Sequence, residues 1–144
     1  MIVGEILRIK GTTLYTTTPD APVQEAVKVM AQLDIGSLIV MDHGRMAGLV
    51  TFAEVLRALA ERGGTLGELK INAITEREPL VAAPALDVME LRRAMLERHA
   101  RYVPVMDGST LLGVVSFHDV AKAVYEEQSF ENQMLKSYIQ DSPA

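Results

Sequence analysis

Two short segments hold the side chains best suited to chemistry: Gly113-Val114-Val115-Ser116-Phe117-His118-Asp119 and Gly48-Leu49-Val50-Thr51-Phe52-Ala53-Glu54. In each, an apolar run suited to a strand ends on a hydroxyl residue, and a carboxylate follows three positions later where an amphipathic pattern begins. A Ser or Thr at a helix start caps free backbone N–H groups, and the same groups attract phosphate. A carboxylate one turn on can accept two hydrogen bonds from a ribose diol. This spacing is also that of a capping box, in which the carboxylate reaches back to the N–H of the cap residue. A single copy would leave the choice open. Two copies in one chain favour the binding reading.

Residues for other chemistries are missing or wrongly spaced. His43, His99 and His118 show no H-E-x-x-H or facial-triad spacing, and the chain has no cysteine, so neither a metal centre nor thiol catalysis is expected. No Ser stands in a Gly-x-Ser-x-Gly elbow, no pair of carboxylates stands out as an acid and base couple, and Gly63-Gly64 lacks the spacing of a dinucleotide-binding loop. His99 and Arg101 follow a helical pattern, where a basic side chain can meet a phosphate or simply complement a helix C-terminus.

The chain has 144 residues, 49% hydrophobic and 23% charged, enough for one compact unit with a core of its own. Its net charge of −5 is spread over interspersed acidic and basic residues, which argues against a nucleic-acid or anionic-membrane surface. The lack of cysteine and of a signal pattern points to the cytoplasm. Hydrophobic spacing predicts a leading helix over residues 1–9, a strand over 14–18, a helix over 23–33, a strand hairpin of 37–41 and 46–51, and a helix over 52–62 closed by Gly63-Gly64. The order then recurs: a second leading helix over 65–74, a strand over 80–83, a helix over 86–98, strands over 102–106 and 111–116, and a helix over 117–127. A separate amphipathic helix is expected at 130–139, docked on a partner or on the leading helix.

A shift of 65 residues, which carries Gly48 onto Gly113, superposes the halves without a gap. Twelve of the forty positions from Pro19 to Ala58 are then identical, among them Val40/Val105, Met41/Met106, Asp42/Asp107, Gly48/Gly113 and Phe52/Phe117. Ordinary composition would give roughly two or three. This is a tandem duplication. The expected architecture is α+β: two β-α-β-β-α repeats packed about a pseudo-twofold axis, sheet against sheet with helices outside, plus extra N- and C-terminal helices.

With the paired Gly-h-h-[ST]-x-x-[DE] segments and the strand Val103-Pro104-Val105-Met106-Asp107, the whole chain resembles a tandem cystathionine-β-synthase (CBS) domain pair, or Bateman module, of the small stand-alone bacterial type. The resemblance implies a single module over 1–144, with repeats at 12–63 and 75–128 and a C-terminal helix at 129–141. It implies a non-enzymatic regulatory module that binds AMP, ATP or NAD(H), without a catalytic cofactor, and that forms homodimers in which four repeats make a disc, acting on an unidentified protein partner. A ligand-free structural dimerisation module is the alternative.

The resemblance also implies crossed clefts. One would use Ser116 and Asp119 with Lys10, Gly11 and Thr12 and with Ile35-Gly36-Ser37, Asp119 holding the ribose and Gly36 leaving room for an adenine edge. The other would use Thr51 and Glu54 with Thr75 and Arg77 and with Arg101 and Tyr102, the Arg101 fork engaging phosphate. The first copy departs from the family pattern at Ala53, at Glu54, where the pattern has Asp, and at Ile39, where it has Pro. Unequal sites are therefore expected, with the Asp119 cleft the better formed.

Overall fold

The computed structural model describes residues 1–141; the last three residues of the expected module, 142–144, lie outside the described residues. Five helices and five strands follow one another: α1 (Val3–Lys10), β1 (Thr16–Thr17), α2 (Val23–Leu33), β2 (Ser37–Asp42), β3 (Arg45–Thr51), α3 (Phe52–Glu61), α4 (Val88–Arg98), β4 (Tyr102–Asp107), β5 (Thr110–Ser116) and α5 (Phe117–Asp141), with one 3-10 turn at Ile71–Ala73. Among the described residues no helix is long and apolar enough to cross a membrane.

The duplication extends to hydrogen-bond register. Both hairpins are antiparallel, and both shift register at the same place: between Val40 and Met41 in β2, and between Val105 and Met106 in β4. The shift leaves one extra residue in the partner strand, Ala47 or Leu112, beside Gly48 or Gly113. A bulge of this kind bends and twists the strand locally. Helices α2 and α4 also end alike, on Asp34 and His99 in the left-handed region (φ 53° for each). The N–H groups of these two residues cap the carbonyls of Met30 and Met95.

Each repeat has its own core. Leu38, Val40 and Val50 of the first sheet pack with Val23, Ala26 and Met30 of α2 and Ala58 of α3. Val103, Val105 and Val115 of the second pack with Val88, Leu91 and Met95 of α4 and Val120 and Ala123 of α5. The strand alternation that directs Leu38 and Val40 inward turns Ile39 to the other face, yet Ile39 is fully buried. That face is thus covered as well, as the packing of one repeat on the other requires.

The lead-in segments cross over. Helix α1 precedes the first repeat but places Val3, Ile6 and Leu7 in the core of the second, and Val3 and Gly4 donate backbone hydrogen bonds to Leu86 and Pro84 (2.9 and 2.8 Å). Conversely, Leu66 and Ile71, which precede the second repeat, lie in the core of the first. Leu49 of β3 exchanges two 2.9 Å backbone hydrogen bonds with Glu76. Each repeat is completed by the segment that leads into the other, so neither core is whole alone.

Three expectations are corrected. Residues 65–74 hold only the 3-10 turn, because Gly67 adopts a positive φ (53°) and the chain runs extended into Lys70. The strand expected at 80–83 shrinks to a single parallel bridge, Ala82 with Val105, so the second sheet has two strands where the first has three. The helices expected at 117–127 and 130–139 are one continuous helix of 25 residues. No Gly or Pro interrupts the chain between them, so nothing stops the first from propagating.

Candidate functional site

Strand β5 delivers Ser116 to the start of α5, and strand β3 delivers Thr51 to the start of α3. Both hydroxyls cap. The Ser116 Oγ accepts from the Asp119 N–H (3.0 Å) while Asp119 Oδ2 accepts from the Ser116 N–H (2.9 Å). Thr51 Oγ1 accepts from the Ala53 N–H (3.1 Å) while Glu54 Oε1 accepts from the Thr51 N–H (2.9 Å). The capping box and the binding motif are therefore the same residues, and each carboxylate is held at the mouth of its helix N-terminus.

The two carboxylates differ in what else holds them. Lys10 Nζ, at the end of α1, donates to Asp119 Oδ2 at 2.6 Å and to the Val114 carbonyl at 3.0 Å. Burial by itself would raise the Asp119 pKa; the hydrogen bond and charge of Lys10, with the Ser116 N–H and hydroxyl, outweigh it and hold the carboxyl below its ordinary value of 3.8. Glu54 is gripped instead by its own cap, since the Thr51 hydroxyl also donates to it (3.1 Å).

Two clefts open beside these helix starts. The first, about 540 Å³, is walled by Lys10, Gly11 and Tyr15 of one lead-in, by Asp34, Ile35, Gly36 and Ser37 before and at the start of β2, and by Val114, Ser116, Phe117 and His118 of the other repeat. The second, about 500 Å³, is walled by Glu76, Glu78 and Leu80, by Arg98, His99 and Ala100, and by Leu49, Thr51, Phe52, Ala53 and Glu54. Under the 65-residue shift most of these walls exchange, for example Ser116 with Thr51, Asp34 with His99 and Tyr15 with Leu80. Each cleft combines the motif of one repeat with the lead-in and strand start of the other. Arg101 and Tyr102 line both.

Of the residues expected in the first cleft, Lys10, Gly11, Ile35, Gly36, Ser37 and Ser116 line it; Thr12 does not, and its neighbour Thr13 does. Asp119 lies outside this lining; it borders a smaller cavity of about 160 Å³ with Lys10 and Lys122, its Oδ2 held by both Lys10 and the Ser116 N–H. The space beside Gly36 is taken by the Tyr102 side chain, with Phe52 Cε2 2.9 Å from where a Cβ would stand. In the second cleft Thr51, Glu54, Arg101 and Tyr102 are present. Thr75 and Arg77 are turned to local partners, Thr75 Oγ1 donating to the Ile71 carbonyl (2.8 Å) and Arg77 Nη2 to Asn72 Oδ1 (2.6 Å).

The sequence reading missed Arg57 and Arg98, which also line the second cleft. Arg57 was open to inference, because it stands one turn after Glu54 on a helix and so shares its face. Arg98 required the tertiary fold. The second cleft thus sets Arg57, Arg98 and Arg101 among Glu54, Glu76 and Glu78, whereas the first has Lys10, Arg101 and Asp34.

Comparison with known proteins adds to this geometry. The CBS domain family matches residues 3–61 and 71–126. The CBS domain-containing protein CBSX3, mitochondrial, of Arabidopsis thaliana is 32% identical over 148 residues, an alignment spanning 96% of this chain and 71% of the relative. A solved protein with CBS domains from Burkholderia ambifaria superposes with a TM-score of 0.83 at 30% identity, covering 89% of this chain and 96% of that one. Two solved structures that share the fold at lower identity carry ligands. The CBS domain pair of protein MJ0100, in complex with methylthioadenosine and S-adenosyl-L-methionine, has a TM-score of 0.75 at 23% identity and covers 88% of this chain and 98% of that one. CBSX2 in complex with AMP has a TM-score of 0.73 at 21% identity, with the same coverage of each chain.

Proposed function

The chain belongs to the CBS-domain family as a tandem pair, and on that premise we propose that it is a non-enzymatic regulatory module that binds an adenosine-containing ligand in the clefts between its repeats. The observation that carries this reading is the crossed assembly of both clefts, each presenting a capped helix N-terminus beside a basic side chain. AMP, methylthioadenosine and S-adenosyl-L-methionine, the ligands of the two solved neighbours, share the adenosine group. AMP, ATP and NAD(H) present that group together with phosphate, and they are the ligands proposed here.

In the first cleft Asp119 accepts from the ribose hydroxyls and Ser116 with the α5 N-terminus meets an oxygen of the ligand, while Lys10 leaves Asp119 for phosphate. The exchange is open to Lys10 because its ammonium end of the pair is exposed, while Asp119 keeps the Ser116 N–H as a partner. The second cleft, in which Glu54 is held by its own cap and acidic residues face the arginines, binds more weakly. The protein works as a homodimer, in which α5 contributes an interface, and it passes ligand occupancy to a protein partner.

Calorimetry with AMP, ATP, NAD, NADH and S-adenosyl-L-methionine tests the reading. Binding of at least one, weakened by Asp119→Ala, is expected; no heat with any of them would refute it. A specific observation favours a second reading, a ligand-free dimerisation module: both carboxylates are already satisfied within their capping boxes. Nucleotide copurifying with the protein, seen as absorbance near 260 nm in a chain without tryptophan, would count against that alternative.

A further inference from the structure

Among the positions where the two clefts break the repeat symmetry, one is shared by both of them. Position 101 maps onto position 36, which is glycine, so the first repeat supplies no counterpart to the Arg101 side chain. A Cβ at Gly36 would run into the Tyr102 side chain and crowd Phe52, so filling the position would require the Tyr102 side chain to move. The Arg101 carbonyl accepts from the Phe117 N–H at 2.7 Å, which pins the backbone of Arg101 to the N-terminus of α5. From that pinned point Arg101, an exposed residue, lines both clefts.

Resting on the nucleotide reading above, we propose that the clefts compete for the Arg101 guanidinium, so that a phosphate-bearing ligand in one lowers the affinity of the other. A guanidinium carries a single charge, and the two-pronged edge it gives to one phosphate is not available to a second. When both clefts hold phosphate, one ligand loses its bidentate partner, and two anions flank a single cation. The coupling is reciprocal: whichever cleft fills first weakens its twin by the same factor. Lys10 in the first cleft and Arg57 and Arg98 in the second are private to their clefts and set the affinity that remains. The module is then graded over a wider range of ligand concentration than two independent sites would allow.

The test follows each cleft separately through its own backbone amide, Gly11 for the first and Ala53 for the second, in NMR titrations of the full chain with AMP and with adenosine. Independent sites give a simple hyperbola at each cleft however unequal their affinities. Coupled sites do not. The wild-type protein titrated with AMP is expected to show isotherms broader than hyperbolic, fitting a coupling of about tenfold. Adenosine, which lacks the phosphate, and the Arg101→Ala variant titrated with AMP should each give hyperbolic curves. Hyperbolic AMP curves for the wild type, or broadening that survives Arg101→Ala or persists with adenosine, would overturn the proposal and leave nucleotide binding standing. Shifts in neither cleft with either ligand would overturn the nucleotide reading itself.

Discussion

Asp119 has two jobs that separate by experiment. As the acceptor for a ribose, it should contribute about 1–3 kcal/mol to binding, because hydrogen bonds to a charged group are the stronger kind. Asp119→Asn, which keeps the shape and removes the charge, is expected to weaken AMP binding roughly 5- to 150-fold by calorimetry; unchanged affinity would place the ribose elsewhere. As the partner of Lys10 it contributes to folding with a definite pH signature. Its carboxyl titrates lower in the folded protein than in the unfolded chain. The stabilisation is therefore complete above the unfolded value and is lost as pH falls through the folded one. Denaturation midpoints of wild type and Asp119→Asn should differ at pH 7 and converge as pH falls below 3.8 and through the lower folded value. The spacing of Ser116 and Asp119 was legible in the sequence, and so was the capping box it forms. The Lys10 ammonium that pairs with Asp119 was placed in the right cleft only through the family resemblance; the ion pair itself depends on α1 packing against the second repeat, a contact between residues 109 positions apart.

At the scale of elements, two glycines permit the crossing of the lead-ins. A Cβ at Gly48 would meet the Glu76 backbone carbonyl and crowd Thr75, whereas one at Gly113 would come within 2.8 Å of Leu7 Cδ2, the end of a flexible side chain. Gly48→Ala is therefore expected to cost about 1–3 kcal/mol in urea unfolding, the range for forcing volume into packed structure, and more than Gly113→Ala. The second clash has a specific remedy. Leu7→Ala alone should cost about 2–5 kcal/mol as a buried truncation, but in that background Gly113→Ala should lose most of its penalty, a coupling that a double-mutant cycle reads directly. Strands and helices with strong periodicity, such as 37–51 and 86–98, were readable because one face of each is buried in the core of its own repeat. The segment 65–74 misled because Leu66 and Leu69 stand three apart, as on one helix face, yet Leu66, Leu69 and Ile71 pack on the first repeat and Gly67 breaks the chain between the two leucines. The stop expected near Gln128 was equally unsupported, since polar residues at 126–129 do not end a helix that has already nucleated.

At the scale of the molecule, α5 joins the site to the surface: its first turn carries Asp119, and its last turns carry Phe130, Met134, Leu135, Tyr138 and Ile139, all more than half exposed. Such a stripe needs a cover, and the second protomer of the proposed homodimer is the occupant we assign to it. Deleting residues 129–144 should shift the protein toward monomer in light scattering while leaving intact the fold, whose cores, among the described residues, use nothing beyond Val124. The duplication and its pseudo-twofold architecture were legible because the repeat is gapless; the cover over α5 was not, because a partner surface leaves only apolar spacing behind. Whether the crossed clefts hold an adenosine ligand is decided by a crystal structure of the protein grown with AMP. Nucleotide density is expected between Gly36-Ser37 and Ser116, with Asp119 turned from Lys10 to the ribose. Clefts empty at saturating AMP, or nucleotide bound at any other surface, would contradict the proposed function.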